Sequence, residues 1–437
     1  MEASLWQAAT LDTVASVAIS GVDKHVLPGE QTILLCNYLD VYRNRRLRTE
    51  HRFSVGSATA SEINRFTLKK GDVVITKDSE TPDDIGVPCL IADELQGVVC
   101  GYHLAVIRPG QQLVPAFLLQ VMQSDFAKRH FLKAATGLTR FGLATRSIQS
   151  LPVPMPNPAE QSGIAYLLDA VDLAVEKGVD AVAAATELHC SLLNECLANG
   201  IGSDGLGRDR TTRPDAFHRT AMGWLPNTWQ PSDIRAEFEI RNGITLNEAQ
   251  RERLPKWRYL RVANVQRDQL SLDDVKVLEA KDSEVAPRLL AANDLLVVEG
   301  HADRMQIGRC ALVTADAVGM TFQNHLFRLR SKGKLLPEFA CLWLNSSHAQ
   351  RYWNAMCATS SGLNTINQKM LKRLSIPVPD KDEQKRIASL LGASKARIAA
   401  LEAKVAALRE LKKSLLHDLL TGAKRLDPKR ILEAAPE

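Results

Sequence analysis

The sequence predicts an α+β chain in which two mixed α/β globular domains alternate with two long helices. Two observations carry this. First, the stretch from Glu383 to about Thr421 holds no proline and a single glycine, Gly392. Its apolar residues Ile387, Leu391, Ile398, Leu401, Val405 and Leu408 fall on one seam whose steps add to sevens, the period of a coiled coil. Second, the chain carries that stretch twice. At a constant offset of 223 residues, the distance from Glu160 to Glu383, the residues Ile164, Ala165, Leu167, Leu168, Ala170, Glu187, Leu188, Ser191, Leu192, Leu193 and Leu197 each meet their identical residue.

The first globular segment, about 1–150, is rich in strand signals. Thr32–Cys36 and Asp72–Thr76 are short apolar runs of the kind buried strands make, and Val98–Ile107 reads as a strand or hairpin. From Pro115 to about Lys133 the apolar spacing turns helical, and a glycine-bearing loop, 136–142, follows. Prolines across 152–158 mark a rigid boundary, because proline lacks the amide a helix interior needs. The first long helix then occupies most of the 151–199 region. Its seam is Ile164, Leu168, Val171, Val175, Val182, Leu188 and Leu192. Gly178 interrupts it at a cost of about 1 kcal/mol relative to alanine, which tertiary packing must outweigh.

Residues 200–219 form a linker. They include Gly200-Ile201-Gly202-Ser203-Asp204-Gly205, a formal match to a phosphate-binding glycine loop. That motif works between a strand and a helix N-terminus. Here it follows a helix, where glycine serves as a C-cap. The segment 220–373 then repeats the first at an offset of 222: Asp72 meets Asp294, Gly86 meets Gly308, His103-Leu104 meets His325-Leu326, and Pro115 meets Pro337. The second helical region spans 374–422, and 423–437 is a tail. The period is far too long for a solenoid, so the chain is a duplicated domain.

The bulk chemistry excludes several classes. No apolar run approaches the roughly 18 residues of a membrane span, and the N-terminus lacks a basic stretch followed by an apolar core. Eight cysteines are scattered without a Cys-x-x-Cys pair, which points to reduced thiols in a cytoplasmic protein and not to a metal site or a disulfide framework. No nucleotide-binding P-loop, His-Glu-x-x-His or Gly-x-Ser-x-Gly motif is present. Asp380 with Glu383-Gln384-Lys385 has the residue types of a nuclease site, but they lie in one turn. The favoured reading is acidic residues complementing a helix dipole. His103 and His325 read as strand histidines packed in a core, so no catalytic or metal-binding residue is assigned.

A net charge of +5 leans towards a polyanionic partner. The basic residues cluster in each globular segment. Arg43, Arg45, Arg46 and Arg48 form the densest run in the first, with Lys77 and Arg140 beyond it; Arg241, Lys256 and Arg258 stand out in the second. Arginine and lysine neutralise phosphates, and arginine and asparagine also read base edges, so these residues with Asn364 and Asn367 of the second glycine loop are the candidate DNA contacts.

The arrangement resembles the specificity (S) subunit of type I restriction-modification systems over nearly the whole chain. The residues that carry the likeness are the two Pro-Val-Pro … Glu-Gln lead-ins, each opening a long helix that closes with Glu-Leu-x-x-Ser-Leu-Leu at 187–193 and 410–416, and Gly223-Trp224-Leu225-Pro226. The first lead-in is two residues longer than the second, and Gly178 sits in mid-helix. The resemblance implies two target-recognition domains, each reading half of a split DNA site. It implies long helices paired as an antiparallel coiled coil, with a circular pseudo-twofold. It implies no catalysis by this chain, which would recruit two methyltransferase (M) subunits and, through the complex, restriction/translocase (R) subunits. S-adenosylmethionine, ATP and magnesium are then expected on those partners and no cofactor on this chain. A helix of about 39 residues would span roughly 58 Å and serve as a ruler. Three other readings remain open: an enzyme, a nuclease or methyltransferase with unrecognised motifs; a coiled-coil adaptor that binds only protein; and an S-like subunit serving a fused methyltransferase-nuclease.

Overall fold

The computed structural model describes residues 6–245, 255–360 and 363–427. Both long helices form, over Pro158–Asn199 and Lys381–Thr421. The chain divides into two compact units that do not follow the segments read along the sequence. The first joins residues 1–180 to 402–437, and the second is 181–401, so each unit owns one globular domain and half of each helix.

In the first unit the central sheet runs Ala15–Ile19, Leu104–Pro109, Val73–Thr76, Pro88–Ile91, Arg46–Leu47. In the second it runs Phe238–Asn242, Leu326–Ser331, Leu295–Val298, Cys310–Leu312. The shared four-strand order is the duplication seen in the sequence. It explains why these strands read as unbroken apolar runs. Val73, Ile75, Ala105 and Ile107 face a layer of helices that includes Phe117, Leu118 and Phe131. Val74, Leu104 and Val106 face the opposite way, into a second core with Leu35, Val99 and Cys100. In the second unit Leu295, Val297 and Leu329 pack against Phe339 and Trp353, while Leu296, Val298 and Leu326 pack against Leu260 and Phe322. A sheet covered on both faces has no polar side, so it shows no alternation.

Several expected boundaries shift. Val98–Ile107 is neither one strand nor a hairpin. Val98–Cys100 pairs parallel with Gln31–Cys36 in a separate sheet, and Leu104–Pro109 joins the central one. The helix expected over 115–133 is two helices, Pro115–Gln123 and Asp125–Ala134, broken at Ser124, whose hydroxyl accepts from Ala127 N. The prolines at 152–158 do different jobs. Pro152–Pro154 is a short strand paired with Ala8–Thr10, and Pro158 is the first residue of the long helix, where its missing amide costs nothing. Gly200 ends that helix with φ +71° and its amide on Cys196 O, the C-cap expected.

Each unit contains an antiparallel helix pair. In the first, Glu160 meets Arg425, Asp172 meets Lys412, and Gly178 lies against Val405. In the second, Glu383 meets Arg208, just past the end of the first helix, and Ile387 and Leu391 share a core with Cys196 and Leu197. Numbers rise along one helix as they fall along the other. The heptad steps run through Ile164, Leu168, Val171, Val175, Gly178, Val182, Ala185, His189, Leu192 and Cys196, all buried or half-buried. In the partner they run through Ile387, Leu391, Ser394, Ile398, Leu401, Val405, Leu408, Lys412, Leu415 and Leu419, again all buried or half-buried. Leu188 is a correction to the sequence reading. It is 57% exposed, as is its repeat Leu411 at 47%. Alternating steps of four and three from Val182 arrive at His189, and an apolar neighbour one position away cannot turn inwards without breaking the period. Gly178 also has its reason: a Cβ there would sit 2.7 Å from Val405 Cγ2.

The repeated Glu-Gln pair fastens each helix start. Gln161 and Gln384 are fully buried. Gln161 Oε1 accepts from Val114 N at 2.8 Å, while its amide donates to Gln112 O and Pro156 O at 2.9 Å each. Gln384 does the same with Leu336 N at 2.7 Å, Lys334 O at 3.1 Å and Pro379 O at 2.9 Å. A second repeated device ties the sheet. Buried Asp72 accepts from Arg108 Nε at 3.1 Å and Lys69 N at 2.9 Å; buried Asp294 accepts from Arg330 Nε at 2.7 Å and Ala291 N at 2.8 Å. Burial pushes the Asp72 carboxyl up, against the pull of the Lys69 amide and Arg108.

Gly86 and Gly308 recur because each holds a positive φ, +77° and +71°, with a buried aromatic, Phe131 or Trp353, standing where a Cβ would go. Gly205 has a similar φ, +80°, with open space around it. Alanine at Gly205 should therefore cost about 1 kcal/mol, the backbone penalty alone. Alanine at Gly308 should cost at least about 2 kcal/mol more through displacement of Trp353. Urea denaturation of the two variants reads this, and equal losses would contradict it.

Candidate nucleic-acid interface

The Arg43–Arg48 run does not act as one surface. It lies where the helix Tyr38–Arg43 passes into the strand Arg46–Leu47, so successive side chains point to different neighbours. Arg43 and Arg48 are exposed, and Arg48 stands 3.9 Å from Asp93. Arg45 and Arg46 turn inwards onto the first long helix. Arg45 pairs with Asp169 and, at 2.8 Å, with Asp172; Arg46 pairs with Asp169. Gln120 Nε2 donates to both carboxylates, at 2.8 and 3.0 Å, and Lys412 Nζ lies 2.5 Å from Asp172 Oδ1. Three cations and two carboxylates thus form one network within the first unit. Burial lowers the pKa of Arg46 and of Lys412, with Asp169 and Asp172 respectively pulling the other way. Arg45 and Arg46 therefore hold a domain to its helix and do not face solvent as expected.

The other candidates divide the same way. Lys77 is nearly covered, with Nζ 2.6 Å from Asp78 Oδ2 and 4.8 Å from the Tyr102 ring centroid. Arg241 is half-buried and pairs with Glu239 at 3.2 Å. Asn364 is buried, and its amide donates to Ala302 O at 2.9 Å. Asn367 is exposed, but its side chain caps the helix Gln368–Arg373 by accepting from Met370 N at 2.9 Å. Arg140, Lys256 and Arg258 are exposed and make no side-chain hydrogen bond or ion pair among the described residues. Lys256 and Arg258 alternate with Trp257 and Tyr259 on the strand Lys256–Leu260, so both cations share its outer face. Arg251, five residues before Lys256 in the same basic stretch of the sequence, and Ser361-Gly362 of the second glycine loop lie outside the described residues.

His103 and His325 are not core histidines. Both are about half exposed and each faces a carboxylate, Asp78 at 2.8 Å and Glu299 at 3.5 Å. Glu299 is pushed up by burial, and His325 opposes the shift. The cysteines Cys36, Cys89, Cys100, Cys196, Cys310 and Cys341 are buried free thiols, with Cys89 pushed up to about 12 and Cys196 to about 11 by burial. No cluster of metal-ligating side chains occurs among the described residues. No described helix is long and apolar enough to cross a membrane.

The family described as type I restriction modification DNA specificity domain matches residues 226–409. The chain is 24% identical over 396 residues to the type I restriction enzyme EcoBI specificity subunit of Escherichia coli, covering 77% of each. It is 23% identical over 293 residues to the StySPI specificity subunit of Salmonella potsdam, covering 67% of this chain and 60% of that one. The chain is thus similar to the specificity subunits of type I restriction enzymes. Its match to a relative from Methanocaldococcus jannaschii spans about half of that protein, 49%. Among solved structures, the S subunit of the type I restriction-modification system from M. genitalium superposes with a TM-score of 0.54 over 96% of this chain and 97% of that one. At 13% identity that likeness is one of fold.

The partners that sequence reasoning missed are the acids. Asp169 and Asp172 sit one turn apart on a helix more than 120 residues from Arg45, and nothing local marks them as its partners. Glu160 and Glu383 did carry a signal, since both stand in the duplicated Glu-Gln pair. Glu383, read as a dipole-complementing acid, and its repeat Glu160 are in fact fully or nearly buried acceptors: Glu160 takes two hydrogen bonds from Arg425, at 2.7 and 2.9 Å, and Glu383 pairs with Arg208 and accepts from Ile201 N at 2.9 Å.

Removing Asp172 would leave Arg45 and Lys412 half-buried without a full complement of acceptors. Asp172→Ala should destabilise the first unit by about 3 kcal/mol. Adding Lys412→Met should recover a substantial part of that, because the stranded charge is then gone. Hydrogen exchange across residues 38–47 in a urea series measures both, and a double variant no better than the single would contradict the network.

Proposed function

We propose that this chain is a sequence-specific DNA-binding subunit that reads a bipartite, asymmetric site, one half with each globular domain, and that it has no catalytic activity of its own. The observation that supports this best is the form of the duplication. The two units keep the same sheet order, the same Asp–Arg tie and the same glycine-on-aromatic packing. They differ in the side chains around their glycine loops. One scaffold used twice with two surfaces suits a protein that must read two different sequences. The basic balance and the exposed Arg43, Arg48, Arg140, Lys256 and Arg258 suit a polyanionic partner.

In this reading the methyltransferase and restriction subunits assemble with the chain, and they carry S-adenosylmethionine, ATP and magnesium. The methyltransferase would act on an adenine turned out of the duplex, since a base inside the stack is out of reach. The assembled complex should select two separated half-sites from randomised duplex DNA. Absence of any sequence-selective, salt-dependent affinity would favour a protein-only adaptor, and co-purification with one fused methyltransferase-nuclease would favour the variant arrangement.

Lys256 and Arg258 are proposed as phosphate contacts of the second unit. The double variant Lys256→Ala, Arg258→Ala should weaken binding to all duplexes alike. It should also reduce the slope of log affinity against log salt by roughly 2, close to 0.9 for each lost contact. A changed sequence preference with an unchanged slope would show that these residues read bases instead.

A further inference from the structure

The first unit holds a cleft of about 410 Å³ beside its glycine loop, and its chemistry does not suit phosphate. Tyr38 and Tyr42, one helical turn apart, form one wall with their rings stacked at 5.5 Å and 16°. The Tyr42 hydroxyl donates to Asp84 Oδ2 at 2.8 Å. Asp78 receives His103 at 2.8 Å and Lys77 at 2.6 Å, so its charge is answered. Glu80 and Arg140 also line the cleft, and both are exposed with no side-chain hydrogen bond or ion pair among the described residues. A carboxylate beside a DNA backbone is repelled. A carboxylate that faces DNA productively must meet hydrogen-bond donors, and the donors on the major-groove edge of a base pair are the exocyclic amino groups of cytosine and adenine. A free guanidinium in the same cleft matches the paired acceptors of guanine.

The duplication inside the chain sharpens this. At the offset of 222 that superposes Asp72 on Asp294, Gly86 on Gly308, His103 on His325 and Arg108 on Arg330, the cleft residues Asp78, Glu80 and Asp84 fall on Gly300, Ala302 and Gln306. Scaffold residues agree between the two units and, His103 apart, these cleft residues do not. If the units read different half-sites, as proposed above, the residues that differ on a common scaffold are the ones that choose the bases.

We infer that Glu80 and Arg140 are specificity-determining residues of the first unit, Glu80 accepting from the amino group of a cytosine or adenine and Arg140 donating to a guanine. The helix-mounted tyrosine pair and the Tyr42–Asp84 hydrogen bond hold the cleft in shape before DNA arrives. This inference rests on the DNA-reading proposal. The test uses the full chain assembled with its methyltransferase partner, selection from randomised duplexes, and three proteins: wild type, Glu80→Gln and Arg140→Ala. Both side chains are exposed, so the variants should fold, which thermal unfolding checks. The expected result is that each variant loses about tenfold of the wild-type base preference at one position. Both positions should fall in the same half-site, and the other half-site should be unchanged. Variants that select the wild-type site unaltered, or that lose affinity uniformly across both half-sites, would overturn the inference and leave the DNA-reading proposal standing. A wild-type complex that selects no sequence would overturn both.

Discussion

The structure depends on burying the start of each long helix without leaving its polar groups unmatched. A helix start brings unpaired amides and a positive dipole end, and enclosing it in protein is costly unless every group finds a partner. Here Asn157 Oδ1 and Asp380 Oδ1 accept from the helix amides Glu160 N and Glu383 N, at 2.9 and 2.8 Å, and the side chains of the Glu-Gln pair tie the enclosed start to its surroundings. The glutamine bonds back to the chain before the helix and across to the loop that leads into the neighbouring short helix. The glutamate takes an arginine that follows the other long helix, Arg425 for Glu160 and Arg208 for Glu383. Each helix start is thereby fastened to the end of the opposite helix, and the antiparallel pairing within each unit follows. Trp6 adds to one of these junctions, lying 4.0 Å from the Arg425 guanidinium carbon and donating to Leu419 O.

Above these junctions, the two globular domains are one design with separate outcomes. The central sheet, its aspartate–arginine tie and its glycine-on-aromatic contact are set by burial, which tolerates little change. The residues around the glycine loops are free of that demand. This division explains why identities between the repeats are sparse yet fall on framework positions, and why a scaffold can be kept while the surface it carries is rewritten.

The fold was legible in the sequence to the level of its architecture. The two helices, the duplicated domain and the buried strands all follow from periodicity and offset, because burial leaves apolar residues at regular spacing. Leu188 shows where that logic stops. An apolar residue one step out of register looks like part of the seam, and only the continuous period, which seats His189 there, excludes it. The candidate site was less legible. Of the Arg43–Arg48 run, only Arg43 and Arg48 stay at the surface, and Lys77 and Asn364 are engaged by neighbours distant in sequence or invisible as partners.

The amino-acid sequence by itself determined that there are two units, two helices and a basic surface, since repeats, heptads and charge are written in residue order. Tertiary structure decided which charges remain available. An arginine is free or spent according to which carboxylate folding brings beside it, and Asp169 reaches Arg45 and Arg46 across more than 120 residues. The same reason separates Glu80 and Arg140, left open at a cleft, from Asp78 and Lys77, which answer each other.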